Sequence, residues 1–359
     1  MKNYEKHQEI PVIIPAYEPN HSLINLCKKI SQEITQKIIV IDDGSGENYK
    51  EVFQSLEKED IVVLKHAVNM GKGRALKDAF NYVLNTFPDM LGVITADSDG
   101  QHSPTDIRKC RDALYVNPDK LVLGCREFTG DHVPWKSRIG NEITKRVCSY
   151  LCGVKISDTQ TGLRGIPKEF MKVCLAIPGE RFEYETNMLI RARDETGFLE
   201  VPINTIYESK KNHKTHFNPV VDSLRIYKIF MRFFVGYFIS SLSSSVVDLA
   251  LFIGFCSLIK KWDTTFYVGF AVIFARIISA AYNYIINCKL VFSSKKSMKE
   301  SGIKYVILAV CQMLISALLT MAGVRWCIFI SEVWVKIIVD TVLFFVSYKI
   351  QQQYVFKVL

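Results

Sequence analysis

The sequence predicts an α/β domain of the Rossmann-like, doubly wound type, followed by an all-α four-helix transmembrane domain. Three observations carry this expectation. Short apolar runs alternate with amphipathic helical stretches through the first part of the chain, the pattern of a parallel sheet with helices on both faces. Acidic clusters fall at the ends of two of these runs, where such sheets bind ligands. Beyond about residue 230 charge thins out and four long apolar stretches take over.

Taken in order, strands are expected at residues 10–14, 37–41, 61–64, 91–95 and 120–124. A helix is expected over residues 22–34, with Ser22 as N-cap and Leu23, Leu26, Cys27 and Ile30 as its buried stripe. A second helix follows Gly73, burying Ala75, Leu76, Ala79, Phe80, Val83 and Leu84. Pro104 opens a third, with Ile107 and Leu114 inward, and a fourth runs over residues 137–151.

The 359 residues suffice for two domains, and 49% of them are hydrophobic. The net charge of +9 does not imply nucleic acid, because Lys and Arg gather beside the apolar stretches, where anionic lipid is the expected partner. The ten cysteines show no zinc-ligand spacing. The first ten residues lack the apolar core of a signal peptide, which predicts a cytoplasmic first half.

Asp97-Ser98-Asp99-Gly100-Gln101-His102 closes the fourth apolar run. Two carboxylates at i and i+2 on a strand end can share one divalent cation, with water or substrate oxygens completing its shell; alone, the same residues also suit a polar turn. Asp42-Asp43-Gly44-Ser45 closes the second run. Asn69-Met70-Gly71-Lys72-Gly73-Arg74 places glycines and cations at a helix start, where backbone amides can approach an anion. It lacks the spacing of a Walker A loop. Arg126 follows the fifth run and Arg138 lies on the next helix, both candidates for phosphate.

Five motifs in order resemble family 2 glycosyltransferases of the GT-A fold, in the branch of dolichyl- and polyprenyl-phosphate sugar synthases. They are Ile14-Pro15-Ala16-Tyr17, Asp42-Asp43-Gly44-Ser45, Asn69-x-Gly71-Lys72-Gly73, Asp97-x-Asp99-Gly100-Gln101-His102 and Asp158-Thr159-Gln160-Thr161-Gly162, and the resemblance covers residues 11–219. It implies that Pro15, Tyr17, Glu18, Asp42, Asp43, Lys72, Asp97 and Ser98 contact the nucleotide-sugar. It further implies that Asp97 and Asp99 hold Mg²⁺ or Mn²⁺, with Gln101 supporting the metal shell, and that Arg126 and Arg138 receive the acceptor phosphate. Asp158 is read as a base or sugar-hydroxyl ligand, with Glu185 as its substitute, or else as the cap of its own turn. Three departures stand out: Glu18-Pro19 replaces the usual Asn-Glu, Ser98 stands where Ala is common, and Cys125 replaces a frequent Ser.

The implied reaction is metal-dependent inverting transfer of a hexose, glucose or mannose, from a UDP- or GDP-sugar to polyprenyl phosphate at the cytoplasmic membrane face. The product would feed cell-envelope glycans or protein glycosylation, and a homo-oligomer is compatible with it. A phosphate carrying about −1.5 to −2 charge is already a nucleophile, so the demanding part is the departing diphosphate. Two alternatives stay open: a processive polysaccharide synthase, disfavoured by the lack of a Gln-x-x-Arg-Trp motif, and a lipid-linked sugar flippase with a regulatory cytosolic half.

The three segments are expected at residues 1–219, 220–232 and 233–359, the middle one an amphipathic juxtamembrane linker continuing a basic and aromatic stretch that starts near Ser209. Spans are expected at about 233–259, 265–288, 303–327 and 335–356, each with the roughly 20 residues a crossing needs. Lys289, Lys295, Lys296, Lys299 and Lys304 in the second loop, against Lys260 and Lys261 in the first, place both termini in the cytoplasm. The end of the second span, from Tyr284 to Phe292, parallels that of the fourth, from Tyr348 to Phe356, so this half reads as two related hairpins and resembles the GtrA-like family of four-span proteins. Asp248 and Arg276 lie fourteen residues either side of Trp262 and are expected to pair within the membrane, as an ion pair or as part of a polar track.

Overall fold

The computed structural model describes residues 9–34, 36–126, 135–204, 221–259, 267–292, 297–326 and 332–356. It divides into two compact units, residues 1–229 and 230–359.

The first unit alternates strands and helices much as the apolar runs predict. In chain order these are β1 (Val12–Ala16), α1 (Ser22–Glu33), β2 (Ile38–Asp42), α2 (Lys50–Glu57), β3 (Val62–Lys65), α3 (Lys72–Thr86), β4 (Gly92–Thr95), α4 (Pro104–Val116), β5 (Leu121–Arg126) and α5 (Trp135–Leu151). They are followed by β6 (Arg164–Pro167), α6 (Lys168–Cys174), α7 (Glu183–Glu195) and β7 (Phe198–Ile203). The N-cap of α1 is His21 rather than Ser22, and Asn20 Oδ1 accepts the Ser22 amide.

The strands form one seven-stranded sheet in the order β3-β2-β1-β4-β6-β5-β7. It is mixed, where the sequence suggested all-parallel pairing: β6 runs antiparallel to both neighbours, with Thr95 and Leu123 each opposite Arg164. All other pairs are parallel. Strand alternation sorts the core. Val12, Ile14, Ile38, Val40, Ile94 and Val122 face α1, α2 and α4, which contribute Leu26, Ile30, Phe53, Leu56, Ile107 and Leu114. On the opposite face α3 packs on β1 and β2, and α6 on β4 and β6. Buried on both sides, the central strands read as unbroken apolar runs.

The second unit is helical. Residues 221–232, expected as a separate linker, form the start of one long helix, α8 (Val221–Ile259); the basic residues before Val221 lie outside the described residues. Then come α9 (Tyr267–Ile286), α10 (Met298–Trp326) and α11 (Glu332–Ile350), close to the four expected spans. Among the described residues one helix, Tyr227–Leu258, is by itself long and apolar enough to cross a membrane.

The repeat is visible in geometry. α9 and α11 each run into a π-helical turn, Asn287–Val291 and Gln351–Val355. Asn287 Nδ2 donates to Gln351 Oε1 at 3.1 Å, and Phe292 stacks on Phe356 with centroids 5.1 Å apart. Equivalent residues of the two hairpins thus meet each other. Asp248 accepts a 2.7 Å bond from Ser279 Oγ, and its other oxygen lies 3.6 Å from Arg276 Nη2. Asp248→Asn and Arg276→Gln should therefore be non-additive, with a coupling of about 0.6 kcal/mol. A double-mutant cycle on thermal unfolding in detergent measures it, and strict additivity would remove the pair.

Candidate active site

The reversed β6 explains why one edge of the sheet collects the polar residues. The carboxyl ends of β1, β2, β4 and β5 share that edge, and β6 begins there, so the loop from Asp158 to Leu163 is delivered onto the same edge. Thr95 Oγ1 donates to the Gly162 carbonyl at 2.9 Å, and Thr161 Oγ1 donates to the Gly124 carbonyl. These bonds pin the loop to the ends of β4 and β5.

Asp97 stands directly under it. Its Oδ1 is 2.7 Å from Lys72 Nζ, and its Oδ2 is 3.3 Å from His102 Nε2. Lys72, the first residue of α3, also reaches Glu185 Oε2 at 2.8 Å. Glu185 in turn faces the buried Arg164, whose Nη1 donates to the Glu185 carbonyl. Burial alone would push the Asp97 carboxyl up, but the adjacent Lys72 charge and the His102 ring outweigh it and hold it well below the ordinary carboxylate range. Burial alone would lower Lys72; the Asp97 and Glu185 charges win and raise it.

Ser98, Asp99 and Gln101 follow on the same turn, all half-buried. Gly100 allows the turn with φ +79°, and the Gln101 amide donates to Asp99 Oδ1 at 3.1 Å. The two carboxylates are thus delivered by one strand and one turn. Among the described residues no group of three His, Cys, Asp or Glu side chains is placed to hold a metal ion. The donor set fits a divalent cation shared with a ligand's oxygens, not one held in an all-protein cage. A cation of the chain itself, the Lys72 ammonium, already sits against Asp97, which shows what charge the position attracts.

Asp43 has a different environment from its neighbour. It is 3% exposed, and its carboxylate takes the Met70 amide, the Gly71 amide and His66 Nδ1, each at 2.8 Å. Two amides expected to face an anionic ligand are therefore spent on Asp43. The glycines have a packing reason: a Cβ on Gly71 would lie 2.4 Å from the Glu180 carbonyl oxygen, and one on Gly73 2.5 Å from Tyr184 Cβ. Asp42 is half-buried at the end of β2 and accepts the Ser45 amide at 2.9 Å. Ser45 Oγ accepts the Glu18 amide, tying the β2 turn to the end of β1. Pro15 is buried in β1, Tyr17 and Glu18 are half-buried, and Glu18 has φ +46° at the departure noted above.

Asp158 is fully buried and paired with Arg126, which donates Nε to Oδ2 at 2.7 Å and Nη2 to Oδ1 at 3.0 Å. The Gln160 amide also reaches Asp158 Oδ1 at 3.1 Å, so the aspartate caps its own turn as well. Cys125 is buried beside them. Arg138 is on α5, and its side chain lies outside the described residues. The edge therefore brings together Asp97, Ser98, Asp99, Gln101 and Lys72 near β4, with Arg126 and Asp158 at β5. His102, Gly162 and Arg164 carry positions to which sequence reasoning gave no role. His102 was visible in its motif; nothing in sequence placed Gly162 against a residue sixty-five positions earlier.

Two carboxylates one residue apart follow β4 and share that end of the sheet with Arg126, the last residue of β5. The chain belongs to glycosyl transferase family 2, whose family model matches residues 12–219. The GtrA/DPMS transmembrane domain matches residues 236–356, which makes this a membrane protein. Among the relatives is the UDP-N-acetylglucosamine–dolichyl-phosphate N-acetylglucosaminyltransferase of Methanococcus voltae, 29% identical over 219 residues, 55% of this chain and 86% of that one. Another is the polyprenol monophosphomannose synthase of Mycolicibacterium smegmatis, 28% identical over 207 residues, 55% of this chain and 77% of that one. Among solved structures, glucosyl-3-phosphoglycerate synthase from Mycobacterium tuberculosis, in complex with Mn²⁺, UDP and glucosyl-3-phosphoglycerate, aligns with a TM-score of 0.45 at 17% identity over 61% of this chain and 75% of that one.

Proposed function

We propose that this glycosyltransferase moves a hexose, glucose or mannose, from a UDP- or GDP-sugar to polyprenyl phosphate at the cytoplasmic face of a membrane. The observation that carries the reading is the shared edge: the Asp97–Asp99 turn and Arg126 lie at the ends of strands separated only by β6. A GtrA/DPMS domain follows in the same chain, and two relatives are named for dolichyl or polyprenol phosphate.

Asp97 and Asp99, with Gln101 supporting the metal shell, would hold Mg²⁺ or Mn²⁺, which when bound would neutralise the diphosphate leaving group as a Lewis acid. Asp42, Tyr17, Glu18 and Ser98 line the approach to the nucleotide, while Asp43 acts through the loop it anchors. Arg126, with Arg138 from α5, orients the acceptor phosphate. A phosphate oxygen then attacks the anomeric carbon in line; the new C–O bond forms as the bond to the nucleoside diphosphate breaks, with inversion. The attacking group is already anionic, so no general base is required. Asp158, fully engaged by Arg126 and its own turn, serves as a positioning residue for Arg126. The four helices α8 to α11 cross the membrane with both termini in the cytoplasm.

Membranes containing the protein, given polyprenyl phosphate and a panel of labelled nucleotide sugars that includes UDP-N-acetylglucosamine, should make one glycolipid from a UDP- or GDP-hexose. In Asp99→Asn its formation should fall at least about tenfold. Synthesis undiminished in that variant would overturn the metal-assisted reading, and incorporation only of the N-acetylated sugar would overturn the hexose.

A further inference from the structure

Lys72 contacts two acids, and its ammonium stands closer to Asp97 than the His102 ring does. Its ammonium is 2.7 Å from Asp97 Oδ1 and 2.8 Å from Glu185 Oε2, and the three side chains are 18%, 31% and 14% exposed. A divalent cation approaching Asp97 without its nucleotide meets a carboxylate already neutralised by a fixed charge. It must displace that charge and leave the ammonium beside it, a like-charge contact in a poorly solvated place. A nucleoside diphosphate changes the balance. It brings oxygens for the metal and a new anionic partner for Lys72, which heads α3 and has a flexible four-carbon stem.

We propose that Lys72 is an exchangeable counter-ion for Asp97, which keeps bare divalent cations off the site and moves to the diphosphate when metal and nucleotide enter together. This rests on the reading of Asp97 and Asp99 as metal ligands. Glu185 is the second station: it shares the ammonium, so Lys72 is held less tightly on Asp97 than a simple pair would be. Metal and nucleoside diphosphate then bind with positive coupling, each tightening the other by the same factor. The enzyme avoids filling its site with a cation that lacks a leaving group to neutralise.

The test is Mn²⁺ binding to the full-length protein in detergent, read from the free-Mn²⁺ electron paramagnetic resonance signal. It is run with Mn²⁺ alone, then with uridine diphosphate or guanosine diphosphate, against the same nucleotide without protein. The wild type should bind Mn²⁺ alone weakly and at least about tenfold more tightly with one of the nucleotides, a coupling within the usual range. Lys72→Gln should bind Mn²⁺ alone at least about tenfold more tightly than wild type and lose most of the nucleotide's effect. Glu185→Gln should move the other way, weakening binding of Mn²⁺ alone, because the ammonium then rests on Asp97 only. Arg74→Gln, which removes a nearby cation whose Nε bonds Asp78, should leave Mn²⁺ binding unchanged and controls for general charge. An unchanged or weaker affinity for Mn²⁺ alone in Lys72→Gln overturns the proposal, as does tighter or unaltered binding in Glu185→Gln. Asp97→Asn separates the two levels: retention of wild-type Mn²⁺ binding there would sink the metal reading itself, whatever Lys72 does.

Discussion

Gly162→Ala should abolish sugar transfer while leaving the protein folded. A methyl group built on Gly162 would lie 2.2 Å from Asp97 Oδ2, 2.4 Å from Oδ1 and 2.5 Å from Cγ, its three nearest neighbours. The group that must yield is thus the end of one side chain, with no backbone among the closest atoms. Asp97 can rotate away, at the expense of its contacts with Lys72 and His102. Misplacement by about 1 Å in a catalytic constellation costs about 100-fold in rate, and that is the minimum loss expected in the glycolipid assay. Thermal unfolding should fall by only a few degrees, since the strand pairing of β4 with β6 is untouched. Activity that declines only in step with the folded fraction would mean that Asp97 is not where the chemistry is organised.

Asp158→Ala should be the most destabilising single change at the edge. The residue has 0% exposure, and its carboxylate accepts two guanidinium bonds and the Gln160 amide. Removing one partner of a buried pair leaves the other charge uncompensated, a loss of about 3 kcal/mol. For a unit of this size that lowers the melting temperature by about 6–12 °C. The kinetic signature should separate positioning from general-base chemistry. Under the proposed role, Asp158→Asn, which keeps the shape, raises KM for polyprenyl phosphate and leaves KM for the nucleotide-sugar unchanged. A fall in kcat with both KM values unchanged would restore Asp158 as a base.

The frame of the catalytic unit was legible because a strand buried on both faces must be apolar throughout. Runs such as residues 37–41 and 91–95 therefore located β2 and β4 within a residue. Asp97-x-Asp99 was legible for the same reason, since polar residues at the end of such a run have nowhere else to point. Asp42 and Asp43 were not separable: both are acids at one strand end, and only the fold of the 66–71 loop turns Asp43 inward. The direction of β6 left no trace either. Arg-Gly-Ile-Pro is too short to have a period, and its partners are set by residues some seventy and forty positions earlier. With that strand's direction hidden, so was the contact of Gly162 with Asp97. In the second unit, the expected pairing of Asp248 with Arg276 followed from equal distance to a loop, an argument that needs only antiparallel helices.

The position of β6 also orders events during synthesis. Until Arg164 to Pro167 emerge, β4 presents an open edge on the side away from β1, a template for stray pairing with other chains. Pairing over such a separation is slow relative to the local contacts of α1 to α4. The strand that covers this edge comes before α8 in the chain. A nascent chain can thus close this interior edge of the sheet before its first long apolar helix exists, so the open side of β4 and that helix need not be exposed at the same time.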